Sequence, residues 1–274
     1  MITQTIEKLS QLKLFGFITA LDEQQRSAQY QELSFDERLS FLVEREFLRR
    51  EHSKMTRRIS AAKLKTRAVI EELDFSPSRN LKKSQILDLA QGNWIKQKHN
   101  LIITGPTGVG KTFLSCALAD KACKLGFSSL YIKTSELHSQ LSLAQADGSF
   151  SKTISRLSKL NPLILDEWLR DPLKDNHVRD ILDLVDDRFR NASTIFISQV
   201  PIKDWHAKIS DPTLADALLD RIIHDSLRIE LTGESLRKTT ASVPKASLRS
   251  VYMPECLRIA CRFVKNTHSG GSWH

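Results

Sequence analysis

Between Leu101 and Thr112 the chain reads Leu-Ile-Ile-Thr-Gly-Pro-Thr-Gly-Val-Gly-Lys-Thr, an apolar run that empties into Gly105-x-x-x-x-Gly110-Lys111-Thr112. Few patterns restrict a fold more. The run predicts a buried strand over 101–104, and the spacing of Leu114, Ala117, Leu118 and Ala122 predicts a helix over 112–125. Strand, glycine loop and helix together form a phosphate-binding unit. Gly105, Gly108 and Gly110 lack a Cβ and let the backbone approach a phosphate chain closely. The loop Gly105, Pro106, Thr107, Gly108, Val109, Gly110 can then turn its N–H groups into one concavity, backed by the positive end of the helix dipole. Lys111 adds a point charge for the β- and γ-phosphates, and the Thr112 hydroxyl suits a magnesium ion. ATP and Mg2+ are the expected ligands.

A phosphate loop serves kinases, transporters and motors alike, so a second motif has to decide. Leu163-Ile-Leu-Asp166-Glu167 is an apolar strand ending in two acids. Asp166 is placed to hold the metal through water beside Thr112. Glu167, one residue on, faces the other way and suits a base for the attacking water. A glutamate there argues for hydrolysis over transfer to a metabolite. Ser193-Thr-Ile-Phe-Ile-Ser-Gln199 is a further strand with a polar end; if it lies beside the loop strand, Gln199 or Ser198 reaches the γ-phosphate. Arg221, in Leu218-Leu-Asp-Arg221-Ile-Ile, is a candidate to complete a neighbouring subunit's site. A helix arginine is also commonly salt-bridged, here to Asp220 or Asp225.

Strands at 128–133 and 227–231 bring the buried β-rich runs to five, with helical stretches between them. That alternation predicts an α/β fold: a parallel sheet with helices on both faces. Residues 1–70 hold one glycine, Gly16, and no proline, which fits an all-helical unit. Ser34-Phe-Asp-Glu37 is a capping box, and Leu39, Leu42, Val43 and Phe47 give the helix after it an apolar face. Pro77 marks a hinge, so the chain divides into a helical basic unit at 1–75, a nucleotide module at 76–238 and a basic tail without a core at 239–274.

The net charge of +9 is concentrated. Residues 45–67 carry nine Lys or Arg against Glu46 and Glu51, a local +7 without i,i+4 acidic partners. Arg49, Arg50, Lys54, Arg57, Arg58, Lys63, Lys65 and Arg67 read as a surface for double-stranded DNA, against the plainer reading of a solvated helix face. Cys116, Cys123, Cys256 and Cys261 show no metal-ligand spacing; the first two read as small core residues of a reduced compartment. No apolar stretch nears 18 residues and no secretory pattern opens the chain, so no membrane partner and a cytoplasmic location are expected.

With these segments in order, the chain resembles the IstB-like ATPases, helper proteins of one class of bacterial insertion sequences, related to the DnaC-type helicase loaders within the AAA+ ATPases. The resemblance runs from about Leu9 to Lys238 and rests on Tyr30–Arg38 with Val43-Glu-Arg-Glu46, Ala90-Gln-Gly-Asn-Trp94, the phosphate loop, Asp211-Pro-Thr-Leu-Ala-Asp216, Leu219-Asp-Arg-Ile222 and Gly233-Glu-Ser-Leu-Arg237. It implies a helical DNA-binding region, an AAA+ module and ATP-dependent homo-oligomeric assembly on DNA that stimulates the transposase of the same element. It also implies Arg221 as the trans-acting arginine and Arg237 as a sensor arginine near the phosphates. The chain departs from the family after the acidic pair, where Trp168 precedes Leu169 in place of glycine, and in the tail beyond Lys238.

Two rivals remain open. In a helicase loader the N-terminal helices would grip a protein; the basic density at 45–67 speaks for DNA, because a protein-binding helix pair would expose more apolar surface. A metabolite kinase is opposed by Glu167 and Arg221.

Overall fold

The computed structural model describes residues 2–236, in the order α1 (Ile2–Gln11), α2 (Phe15–Arg26), α3 (Phe35–Ala61), α4 (Lys83–Ala90), α5 (Asn93–Lys96), β1 (Asn100–Thr104), α6 (Lys111–Lys124), β2 (Leu130–Lys133), α7 (Thr134–Ala146), α8 (Phe150–Ser158), β3 (Leu163–Asp166), α9 (Asp175–Arg188), β4 (Thr194–Ser198), α10 (Pro212–Ile223) and β5 (Ser226–Glu230). The basic tail and Arg237 lie outside the described residues. The strands form one sheet in the order β2-β3-β4-β1-β5, and every pair is parallel.

Parallel strands joined by helical crossovers bury both faces, and their period of two shares the side chains between two cores. Leu101, Ile103, Ile164, Ile195 and Ile197 pack with α4 and α6; Ile102, Leu163, Leu165 and Phe196 pack with α7 to α10. Central β3 and β4 are buried throughout, whereas Leu227, Arg228 and Glu230 of edge strand β5 are exposed. Helix α6 is buried on nearly every side through Leu114, Ser115, Cys116, Ala117, Leu118, Ala119, Ala122 and Cys123. Its small residues let it sit between the sheet and α3. Cys116 and Cys123 are buried free thiols, as expected of core positions.

The capping box forms as the sequence predicts: Glu37 N–H donates to Ser34 Oγ at 3.3 Å and Ser34 N–H to Glu37 Oε2 at 2.8 Å. Helix α2 crosses α3 at the lone glycine of this region, where a Cβ on Gly16 would stand 2.9 Å from Arg45 O and from Glu46 Cα. The apolar face expected on α3 is corrected in part. Leu42 is buried, but Leu39, Val43 and Phe47 are 39%, 55% and 57% exposed. A 12-residue α2 packs along one side of the 27-residue α3 and α6 meets it too, yet these three side chains stay exposed.

The end of α3 is anchored in the nucleotide module. Arg58 Nε donates to Cys123 O at 2.9 Å, and Tyr131 N–H donates to Ala62 O at 2.8 Å. Ala68 and Ile70, with Leu64, Leu73 and Phe75 against them, enter the same core as Leu101 and Ile103. Residues 62–75, grouped with the helical unit on sequence, thus pack with the sheet. The segment around Pro77 is a brace: Arg79 Nη1 donates to Glu234 O at 3.0 Å, Asn80 Nδ2 to Glu230 O at 3.0 Å and Thr232 Oγ1 to Ser78 O at 2.8 Å.

Candidate nucleotide site and its basic flank

The loop leaves β1 at the carboxyl edge of the sheet, where open α/β folds gather ligands. Gly105, Gly108 and Gly110 hold φ of 142°, 86° and 99°, the region that glycine adopts without strain. A Cβ on Gly105 would fall 2.2 Å from Leu231 O, and one on Gly108 2.0 Å from Ser235 Oγ. Leu236 N–H donates to Gly108 O at 3.0 Å, so the segment after β5 lies along the loop. Val109 is buried at its centre. Lys111 is 7% exposed and turns its ammonium onto the carbonyls of Gly105 and Pro106, both at 2.7 Å.

β3 carries Asp166 to the start of α6. Thr112 Oγ1 donates to Asp166 Oδ2 at 3.0 Å, Tyr131 OH to the same oxygen at 2.5 Å, and Glu167 N–H to Oδ1 at 2.8 Å. Burial and the Asp166 carboxylate push the Tyr131 hydroxyl far up, so it stays a proton donor. A hydroxyl and a carboxylate side by side are the hard oxygen donors magnesium takes. Set against a loop with no room for side chains at Gly105 and Gly108, this donor set fits a magnesium–nucleotide.

Glu167 sits at φ 61° in the turn after β3, its carboxylate held by Arg170 Nη1 at 2.5 Å and Lys133 Nζ at 3.3 Å. The turn is pinned from below. Trp168 is fully buried, its backbone N–H donates to Ile197 O at 2.8 Å, and its carbonyl accepts from Ser198 Oγ at 2.8 Å. That contact takes Ser198 away from the loop. Gln199 is the residue that reaches it, through Oε1 accepting from Thr107 Oγ1 at 2.7 Å. Leu169, next in the turn, is held at φ 52°. A non-glycine residue there costs about 1–2 kcal/mol.

Arg221 stands elsewhere. Its backbone carbonyl accepts from Asn100 Nδ2 at 3.4 Å, at the start of β1, and four residues of strand, about 13 Å, separate that end from Thr104. Its guanidinium pairs with Asp186 of α9 and donates to Ala217 O at 2.7 Å. The alternative partners read from the sequence, Asp220 and Asp225, are corrected to Asp186. The fold brings α9 alongside α10, and Asp225 is met instead by His224 and, at 4.0 Å, by Arg190.

Beside Glu167 a cavity of about 420 Å3 opens between α7 and residues 167–177, lined in part by His138, His177, Arg170 and Lys174. The two histidine rings stack at 4.2 Å. Burial, and secondarily His177, push His138 down to about 4.

The basic flank is only partly free, which corrects the reading that its cations lack acidic partners. Glu46 is 6% exposed and accepts from Gly16 N–H at 2.7 Å, Arg49 Nε at 3.0 Å and Arg50 Nε at 2.6 Å. The bond from Arg49, more than burial opposes it, holds the Glu46 carboxyl down at about 2, with Arg50 and Gly16 adding to the effect. Lys54 pairs with Glu51 at 2.8 Å, Arg45 with Glu23 at 2.6 Å, and Arg58 is spent partly on Cys123. Arg57, Lys63, Lys65 and Arg67 remain exposed around the end of α3.

Sheet order, phosphate loop and acidic strand end together define a P-loop ATP-binding module of the AAA+ class. Residues 7–243 match the family model described as IstB-like ATP binding protein, and the chain belongs to that family. It is 46% identical over 214 residues to the ATP-binding protein of insertion sequence IS1162 of Pseudomonas fluorescens, covering 77% of this chain and 93% of the relative. It is 40% identical over 234 residues to an insertion-sequence ATP-binding protein of Sinorhizobium fredii, covering 85% and 96%. Among solved structures it is similar in fold to DnaI (TM-score 0.53, 22% identity, 61% of this chain and 92% of that one). The same holds for AMPPCP-bound DnaA from Aquifex aeolicus (TM-score 0.55, 16% identity, 75% and 62%).

Sequence reasoning missed Tyr131, Lys133, Arg170 and Arg79. Lys133 was within reach, since it ends a strand that, once set beside β3, pairs with Asp166. Nothing local marks the other three.

Proposed function

We propose that this protein hydrolyses ATP, assembles on double-stranded DNA as a homo-oligomer in its ATP state, and stimulates the transposase of its insertion sequence from the cytoplasm. The observation that carries the reading is the Thr112–Asp166 pair at 3.0 Å beside Glu167, at the mouth of the loop, with the basic end of α3 bonded to the far end of the helix that follows the loop. Gly105 to Gly110 wrap the phosphates and Lys111 swings from the loop carbonyls onto the β- and γ-oxygens. Thr112 and Asp166 would hold magnesium, which neutralises charge on those oxygens. Glu167, released from Arg170 and Lys133, takes the proton of the attacking water. Gln199 reads the γ-phosphate. Arg221, remote from its own loop, serves a neighbour's. DNA enters at Arg57, Lys63, Lys65 and Arg67, whereas Arg49 and Arg50 brace the fold through Glu46.

Duplex binding measured with ATP, with ADP and without nucleotide tests this: the ATP state should bind tightest, and equal binding in all three would sink the switch. A second reading, the helicase loader, draws on the exposed Phe35, Leu39, Phe41, Val43 and Phe47 of α3. These undo the argument that this helix exposes no protein-binding face. Tight ATP-dependent binding to a hexameric helicase, with none to duplex, would favour it.

A further inference from the structure

Tyr131 is bonded at both ends. Its hydroxyl donates to Asp166 Oδ2 at 2.5 Å, sharing that oxygen with Thr112. Its backbone N–H donates to Ala62 O at 2.8 Å. Ala62 caps α3, where a helix leaves its last carbonyls without internal partners; an outside donor there fixes the helix end. Exposed Arg57, Lys63, Lys65 and Arg67 flank Ala62 within five residues. One buried residue on an edge strand, 8% exposed, therefore joins the end of the basic helix to the carboxylate of the metal pair through two hydrogen bonds and its own ring.

We infer that Tyr131 is a positioning residue that orients Asp166 for the metal ion and couples its geometry to the end of α3, so that DNA on the basic flank and magnesium–nucleotide in the loop change each other's affinity. The coupling half rests on the DNA reading above; the orienting half does not. Asp166 has two side-chain donors on one oxygen, and a carboxylate so held presents its other lone pairs in a fixed direction. Displacing the end of α3 shifts the Tyr131 backbone and swings the donor that fixes Asp166. Affinities linked in this way change reciprocally.

The test is Tyr131→Phe, which removes one hydroxyl and keeps the ring and the bond to Ala62. A fluorescent ADP derivative is titrated with and without Mg2+, and with and without a short random-sequence duplex. Metal-free affinity should match wild type, which also reports an intact fold. The Mg2+ midpoint should rise about 10–100-fold, the usual cost of losing a partner that orients a metal ligand. The shift that duplex causes in the wild-type midpoint should vanish. An unchanged midpoint overturns the orienting role; a raised midpoint with the duplex shift intact overturns the coupling. Absence of duplex binding by wild type would instead count against the DNA reading, and the orienting role would still be judged on the midpoint. Wild-type protein carrying fluorotyrosine, assigned with Tyr30→Phe and Tyr252→Phe, gives a reading that needs no change at 131. Its Tyr131 fluorine resonance should move with Mg2+–ADP and again with duplex, and a resonance indifferent to both contradicts the proposal.

Discussion

Glu46→Gln removes one negative charge from beneath the N-terminal helices and little volume. In the wild type this carboxylate is 6% exposed and accepts from Gly16, Arg49 and Arg50, which lowers it from 4.5 to about 2. Because the folded value is depressed, the stabilisation is full above 4.5 and is lost as pH falls toward 2. At 1.36 kcal/mol per unit, that difference is worth about 3 kcal/mol at neutral pH. The partners left behind, Arg49 and Arg50, are 35% and 51% exposed and are rehydrated when Glu46 is neutralised, so the larger cost of stranding a buried charge does not add to this figure. Urea unfolding followed by far-ultraviolet circular dichroism at pH 7 should show the variant losing about 3 kcal/mol in the transition of the helices around Gly16. The gap to wild type should close between pH 4.5 and 2. A gap under about 0.5 kcal/mol, or one that does not change with pH, would place this cluster among ordinary surface pairs and refute the reasoning.

Three further outcomes are expected. Changing Arg57 and Lys63 together to Ala should weaken binding to all duplex sequences alike and flatten the log–log salt dependence by about 1.8, at about 0.9 per lost phosphate contact; loss confined to one sequence would mean base reading instead. Arg221→Ala should bind ATP normally yet hydrolyse it poorly, and mixing it with Lys111→Ala subunits should restore part of the rate. No rescue in subunits shown to co-assemble would leave Arg221 as a structural partner of Asp186. His138, lowered from 6.5 to about 4, stays neutral in the fold while the unfolded chain protonates, so wild-type stability should fall with pH across that interval. His138 contributes about 1.4 kcal/mol per unit to that slope, and His138→Phe should lower it by that much in pH-dependent urea unfolding; a variant with the wild-type slope would refute the assignment.

The sheet and loop were legible because parallel strands buried on both faces leave unbroken apolar runs, and because a phosphate cradle demands glycines at fixed places. The capping box was legible for a similar reason, since it is closed within four residues. What stayed hidden depended on distant pairings. Arg49 and Arg50 stand three and four residues beyond Glu46, so those pairs were open to a local reading; what stayed hidden is that α2 brings Gly16 against Glu46, whose carboxylate is buried. The stripe of Leu39, Val43 and Phe47 shows that α3 has an apolar face, but periodicity does not say whether anything covers it. Arg221 has acids beside it in sequence yet pairs with one on another helix. Tyr131 gains meaning only when β2 is set beside β3.

The most direct test is Glu167→Gln, followed for ATP turnover and duplex retention in the same preparation. Turnover should fall by about 10²–10⁴, the usual worth of a general base, while ATP binding persists and the DNA-bound assembly outlasts that of wild type. Near-normal turnover, or retention no longer than wild type with ATP bound, would contradict an ATP-timed assembly on DNA.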